Sequence, residues 1–373
     1  MKKATDLLLL FIVSFVIILS SCKKDQYKQE PIGAGEVPGE PAPTTCYYPN
    51  VGVSTLSGTG NPITINGNVK VASFAGPRAV CMFGNIIYVS DGVSVRKIQS
   101  SVVSTVYNIL PSEHISAFTT DYDGNLYLAQ SNFVIRKISP TGVSLATYGT
   151  AGVSGYSLTA PFRFRIMRGL ATDIEGRVYI QDEGNRVILR LNTDGTLTKI
   201  AGQPGLGGWV DGPVASARID TSQSGIAVST YGDRIYFTDE AKVRIITGGN
   251  VSTIAGHRTR GYVNGNGLSA RFARIEGFTM DAAENLYLSE LSVGLGDDAA
   301  RIRKVIKMTS GLIPWKVSTL AGNSYGYRDG DGSVASFQFA EGIVVSPDIK
   351  NIYVADTYNH RIRKVTLNCL PVF

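Results

Sequence analysis

Residues 351–365 read NIYVADTYNHRIRKV. A short apolar strand centred on Tyr353 ends in an acid, Asp356, and arginines follow within one strand length. The phrase returns five more times: IIYVSDGVSVRKI from Ile86, NLYLAQSNFVIRKI from Asn125, RVYIQDEGNRVILRL from Arg177, RIYFTDEAKVRII from Arg234, and NLYLSE with RIRKV from Asn285. The anchoring tyrosines are Tyr88, Tyr127, Tyr179, Tyr236, Tyr287 and Tyr353. Self-similarity at such a period marks a repeat architecture.

Around each phrase four strands can be read. A Gly-led apolar strand opens the unit, as in GLATD from Gly169, GIAVS from Gly225, GFTMD from Gly277 and GIVVS from Gly342. The tyrosine strand and the arginine strand follow. A fourth ends in phrases such as TLTKIAG from Thr196, VSTIAG from Val251 and VSTLAG from Val317. Short strands separated by turn residues argue for antiparallel sheet. Four strands per unit and six units predict an all-β, six-bladed β-propeller, in which radial closure protects strand edges. The sixth unit lacks its fourth strand near Asn368, and the missing phrase stands at the other end as VSTLSG, from Val53 to Gly58. The N-terminal strand is expected to close the last blade. That pairing would bring Cys46 and Cys369 together, and a disulfide between them suits an oxidising compartment.

The chain opens with Lys2 and Lys3 and an apolar run from Leu7 to Leu19. The run is too short to span a bilayer and has the layout of a secretory signal peptide. Leu19-Ser20-Ser21-Cys22 resembles a bacterial lipobox. The expected organisation is a lipoprotein signal over 1–21, a polar Pro/Gly-rich tether over 22–45 that begins with lipidated Cys22, and a propeller over 46–373. A chain so anchored touches the membrane only through its acyl groups. It would be an outer-membrane lipoprotein, on the periplasmic side or at the cell surface.

The repeat resembles the NHL-repeat family of β-propellers, of the secreted bacterial lipoprotein type. Tyr353 to Ile362 is close to the family's signature, with His360 on its histidine. The second unit departs from it, with Gln130 in place of the acid, and the fifth carries an insertion from Leu291 to Ala300.

Chain direction puts the loops that enter each first strand on the same face as the ends of the second strands. Three entering loops are long, beginning at Gln203, His257 and Asn323. Loops on a scaffold commonly carry binding. The residues just before the first strands should line the mouth of the central channel: Arg78, Ser116, Arg168, Ser224, Glu276 and Glu341. Their charge varies from unit to unit, which a purely structural role does not require. The aromatic residues of the loops, Trp209, Tyr262, Tyr325 and Tyr327, suit sugar or peptide faces. The alternative is that they pack between loops, since three of them follow a glycine at equivalent places. Asp91, Gln130, Asp182, Asp239, Glu290 and Asp356 end the second strands, and such acids commonly hold backbone N–H groups. Arg96, Arg136, Arg244, Arg303 and Arg363 are expected to reach acids of neighbouring units.

The three histidines, His114, His257 and His360, fit no zinc spacing. No cofactor or metal is expected. Asp329, Asp331 and Ser333 resemble the start of a calcium loop, but Ala340 stands where its bidentate glutamate belongs. No nucleophile elbow or phosphate loop is present. The net charge of +6 is spread along the chain and, with secretion, argues against a nucleic-acid partner. The expected role is binding of a glycan or protein on the loop-rich face, without catalysis. The competing reading is a metal-dependent hydrolase or lyase of the lactonase-like propeller type at the channel.

Overall fold

The tyrosine strands are apolar through their middle because both of their faces are buried. Ile352 and Val354 join a cluster shared with the fifth blade, whereas Tyr353 and Ala355 join one shared with the first. The period-2 alternation of a strand thus serves two neighbours at once. Each of six hydrophobic clusters lies between two consecutive blades, and the one containing Val89, Ala355 and Ile362 joins the sixth to the first. The ring is closed.

This computed structural model describes residues 46–220, 225–291, 299–308 and 314–371, with side chains from residue 51 to residue 368 within those segments. The expected signal, tether and Cys22 lie outside the described residues, as do Ser224 and most of the Leu291–Ala300 insertion. Blade 1 consists of Pro77–Phe83, Ile86–Asp91, Ser94–Gln99 and Val102–Asn108. Blade 2 consists of Ile115–Thr120, Leu126–Gln130, Ile135–Ile138 and Ser144–Tyr148, and blade 3 of Met167–Thr172, Val178–Asp182, Val187–Leu191 and Leu197–Gly202. Blade 4 holds Ile226–Val228, Arg234–Asp239, Lys242–Thr247 and Asn250–Gly256. Blade 5 holds Arg274–Met280, Leu286–Leu291, Ala300–Lys307 and Trp315–Ala321. Blade 6 takes Ala340–Val345, Asn351–Asp356 and Arg361–Pro371 from the C-terminal end, and its fourth strand is Cys46–Ser57. Thr55 lies opposite Arg363, and Val53 opposite Val365. The backbones of Cys46 and Cys369 fall in this paired stretch, Cys46 opposite Pro371; their side chains lie outside the described residues.

The glycine that ends the fourth strand in blades 3 to 6 has a steric cause. Gly58, Gly202, Gly256 and Gly322 all have positive φ, and a Cβ on each would fall 2.2–2.4 Å from a carbonyl oxygen near the start of the third strand. Only glycine accepts both conditions.

The long entering loops also take part in the sheets. Each runs down the outer edge of the blade it enters and adds a two-residue fifth strand there. Gly67 and Asn68 pair with blade 1, Gly212 and Pro213 with blade 4, Gly265 and Asn266 with blade 5, and Gly330 and Asp331 with Cys46–Ser57 of blade 6. A covered edge is a poor template for unwanted pairing. Blades 2 and 3 have only four strands.

The strand arginines bind these loops, and here an expectation is corrected. Each arginine pairs with the acid of its own blade, because acid and arginine lie on adjacent strands of one sheet. Arg96, Arg244 and Arg363 donate to Asp91, Asp239 and Asp356 at 2.9, 2.6 and 2.6 Å, and Arg303 pairs with Glu290. Each also donates to a side chain at the head of its own outer strand: Asn66, Asp211, Asn264 or Asp329. All four guanidinium groups are fully buried. Blade 3 has Leu189 opposite Ile180, where the other blades place arginine. Blade 2 keeps Arg136, half-buried and bonded to Gln130. The two blades without the buried ion pair are thus the two without the fifth strand.

Candidate functional site

The first strands converge on the channel because small residues let them approach. A Cβ on Gly225 would fall 2.0 Å from Phe278 Cβ, on Gly277 2.2 Å from the Glu341 carbonyl, and on Gly342 2.4 Å from the Arg78 carbonyl. The residue before each small residue sits at a break in strand register. Such breaks fall between Pro77 and Val80, Ile115 and Ala117, Met167 and Gly169, Ile275 and Gly277, and Ala340 and Ile343. A bulge re-aims the side chain it carries. Here it sends Arg78, Ser116, Arg168, Glu276 and Glu341 to one place, a cavity of about 120 Å³ at the channel mouth. The structure therefore brings these expected mouth residues together.

Their charges are arranged unevenly. Arg78 and Arg168 come from blades 1 and 3, Glu276 and Glu341 from blades 5 and 6. Arg78 Nη1 lies 3.8 Å from Glu341 Oε1, with side-chain exposures of 58% and 15%. That is an ion pair but too long for a hydrogen bond. Arg168 Nε donates to Glu183 Oε2 at 3.2 Å, and Arg274 pairs with Glu276. Glu183 and Arg274 escaped the sequence reading. The hints were present: Glu183 directly follows a strand-end acid, and Arg274 stands two residues before Glu276, on the same strand face. Beside Arg274, whose guanidinium lies 5.9 Å from the Phe339 ring centre, Phe339 stacks on half-exposed Tyr358 at 4.7 Å.

Burial pushes the Glu341 carboxyl up to about 7. Arg78, Arg168 and Arg274 oppose the shift and Glu276 adds to it. Burial also raises Glu276, with the three arginines again opposing. A carboxyl whose folded pKa is raised contributes stability that is complete below its unfolded pKa and lost as pH rises through the folded value. Glu341→Gln should therefore stabilise the protein by about 1–3 kcal/mol at pH 8 and leave it unchanged at pH 4. Thermal unfolding at both pH values measures this, and equal shifts at the two would refute it.

The loop aromatics lie along the outer rim, and none lines the cavity. Trp209 sits between Lys242 and Arg258, 3.9 and 5.3 Å from its ring centre. Arg301 covers Tyr262 at 3.7 Å, and Arg361 covers Tyr327 at 4.0 Å. These are equivalent cation–π contacts, each with the residue two before a strand arginine or its counterpart. Tyr325 and Tyr327 remain about half exposed, and the Tyr325 hydroxyl accepts from Gln338 Nε2 at 2.9 Å.

The acids that end the second strands hold backbone, as that class commonly does. Asp91, Glu290 and Asp356 accept from the N–H groups of Gly76, Ala273 and Gln338 at 2.9, 2.9 and 2.7 Å. Asp182, which has no arginine, is pushed up to about 6 by burial, with Asn185 and backbone N–H groups opposing. Asp329 is engaged by Arg363 and by the Thr55 N–H, and the backbone carbonyl of Asp331 closes a turn on Val334 and Ala335. Among the described residues, no three His, Cys, Asp or Glu side chains come together as ligands for a metal ion. Cys81, on the first strand of blade 1, is buried and its thiol pKa is raised by that burial.

Six four-to-five-stranded blades around a channel, closed by an N-terminal strand, define a six-bladed β-propeller. The NHL repeat family model matches residues 337–365, within blade 6. The chain is a six-bladed β-propeller that carries an NHL repeat in its last blade. No curated protein matches it. Among solved structures it is similar to a protein of unknown function from Bacteroides thetaiotaomicron, at 20% identity over 85% of this chain and 76% of that one, with a TM-score of 0.65. It is also similar to an auxiliary nutrient binding protein from Bacteroides ovatus, at 18% identity over 86% and 78% of the two chains, with a TM-score of 0.63. A second auxiliary nutrient binding protein, from Bacteroides thetaiotaomicron, aligns at 20% identity over 84% and 76%, with a TM-score of 0.61. At such identities the likeness concerns the fold.

Proposed function

We propose that this protein is a lipid-anchored extracytoplasmic binding protein that recognises a glycan or a protein at its channel mouth. The observation that carries the reading is Glu341. Its carboxyl is largely buried and, among the described residues, no donor hydrogen-bonds to it. Such a group lowers stability at neutral pH. Stability given up at a concave, mixed-charge site is what ligand recognition commonly demands. The description of two structural neighbours as auxiliary nutrient binding proteins supports a binding role.

The test is a glycan and peptide array probed with the full chain, followed by Arg168→Ala and Glu341→Ala. Binding should fall at least tenfold in each variant. Binding unchanged in both would move the site elsewhere.

Anchoring follows from the lipobox at Cys22. Two acyl chains hold a protein stably, at about 0.8 kcal/mol per buried methylene. Cys22→Ser should release the protein into the soluble fraction; a variant that still sediments with membranes would end the lipid-anchor proposal. In the oxidising compartment this implies, we place a Cys46–Cys369 disulfide across the closing strands. Non-reducing peptide mapping that finds both thiols free would reject it.

A further inference from the structure

We infer that the channel mouth seats an acidic sugar, a uronate-type ring whose carboxylate lies against Arg78 and Arg168 while a neighbouring hydroxyl donates to Glu341. This rests on the reading of the mouth as a ligand site and narrows the chemistry of its occupant.

The argument starts from unused hydrogen-bonding capacity. A guanidinium has five N–H donors in a planar fork that matches a carboxylate. Arg78 is 58% exposed, and its one ionic partner is Glu341 at 3.8 Å. Among the described residues it donates no hydrogen bond. Arg168 uses Nε on Glu183 and leaves both terminal nitrogens without a partner among those residues. Glu341 is the converse, an acceptor without a donor. Because Arg78 and Glu341 are neighbours, adjacent groups of one small ring can serve both: an anionic acceptor for the arginines and a hydroxyl for the glutamate.

The alternatives fit less well. A cation would face Arg78, Arg168 and Arg274. A neutral sugar would satisfy Glu341 and leave the arginine forks empty. An acidic peptide offers a carboxylate on a flexible stem, with no hydroxyl held beside it. The cavity, at about 120 Å³, is smaller than a whole ligand site. It takes one ring at the tip of a longer chain.

The charge beside the bound carboxylate also depends on pH. Glu341 faces Arg78, Arg168, Arg274 and Glu276, and it titrates near 7. Going from pH 8 to pH 6 removes its negative charge while the sugar acid stays ionised. Binding should tighten by about three- to tenfold.

The experiment is calorimetric titration of the full chain in detergent with trisaccharides of galacturonate, glucuronate and mannuronate. Their methyl esters, galactotriose and a hexaglutamate peptide complete the set. At least one uronate trisaccharide should bind, with its ester at least tenfold weaker. Arg78→Gln and Arg168→Gln should each weaken it at least tenfold in protein that a cooperative thermal transition shows to be folded, and Glu341→Gln should abolish the pH effect. Galactotriose or an ester binding as tightly, through the same residues, would overturn the acidic assignment and leave the glycan reading standing. Hexaglutamate binding as tightly would overturn the sugar. Binding that survives in the triple Gln variant, or no binding by any uronate, would overturn the inference and, in the first case, the mouth as its site.

Discussion

Arg363→Met should destabilise the protein by about 3–5 kcal/mol, the usual cost of removing one partner of a buried ion pair. Arg363 is fully buried and donates to Asp356 at 2.6 Å, Asp329 at 2.6 Å, and the carbonyls of Ser336 and Arg328 at 2.9 and 2.8 Å. Methionine fills much of the volume but leaves the Asp356 carboxylate uncompensated and the outer strand untied. Lysine should rescue little, since a point charge cannot serve four acceptors. Asp356 is already pushed up to about 6 by burial, against the pull of Arg363. Without the arginine it rises further, so the deficit should shrink as pH falls below 6. Denaturant midpoints at pH 5 and pH 8 measure both effects. Arg136→Met, in a blade with no fifth strand, loses only a partly exposed bond to Gln130 and should cost about 1 kcal/mol. A loss below that in Arg363→Met would show that the ion pair does not hold the blade.

The second large effect concerns the strand that completes the ring. Deleting residues 46–58 should abolish the native monomer. It removes a whole blade edge, including buried Val51 and Val53, and exposes the Arg361–Pro371 strand along its length. Each buried valine alone contributes about 1.5–3 kcal/mol, against a total stability of about 5–15 kcal/mol. The orphaned edge would also seek pairing with other chains. Size-exclusion chromatography and limited proteolysis would show aggregates or rapid digestion. A protease-resistant monomer of the truncated chain would contradict closure by this strand. Gly58→Val tests the same joint with one residue, since its Cβ would meet the His360 carbonyl at 2.4 Å in a backbone with φ of +106°.

Much of this architecture was legible because burial on both faces writes a distinct pattern. The tyrosine strands carry apolar residues on both faces, and the VSTLSG phrase carries the glycine that most of the fourth strands end on. The mouth residues were legible too, since each stands one place before a small residue that two inner strands need for close approach. The path of the long loops was not. A two-residue strand such as Gly212 and Pro213 has no periodicity to read, and its pairing depends on an edge contributed from far along the chain. The arginine partners were misassigned for a related reason. The Asp356–Arg363 spacing suits either adjacent strands or adjacent blades, and only the register decides. Glu183 and Arg274 act at the mouth through neighbours brought close by the bulges, which leave no mark in composition.

The joining of residue 55 to residue 363 sets the order in which the molecule can be made. The strand Cys46–Ser57 leaves the ribosome before every other strand of the ring and has no partner until residues 361–371 have been synthesised. Blades 1 to 5 can form as they emerge, but the circle waits for the strand Arg361–Pro371. A ribosome that stalls, or a protease that trims the C-terminal end, would leave an open horseshoe with two unmatched edges. Completion of the ring thus rests on one late event, the docking of the strand Cys46–Ser57 on Arg361–Pro371.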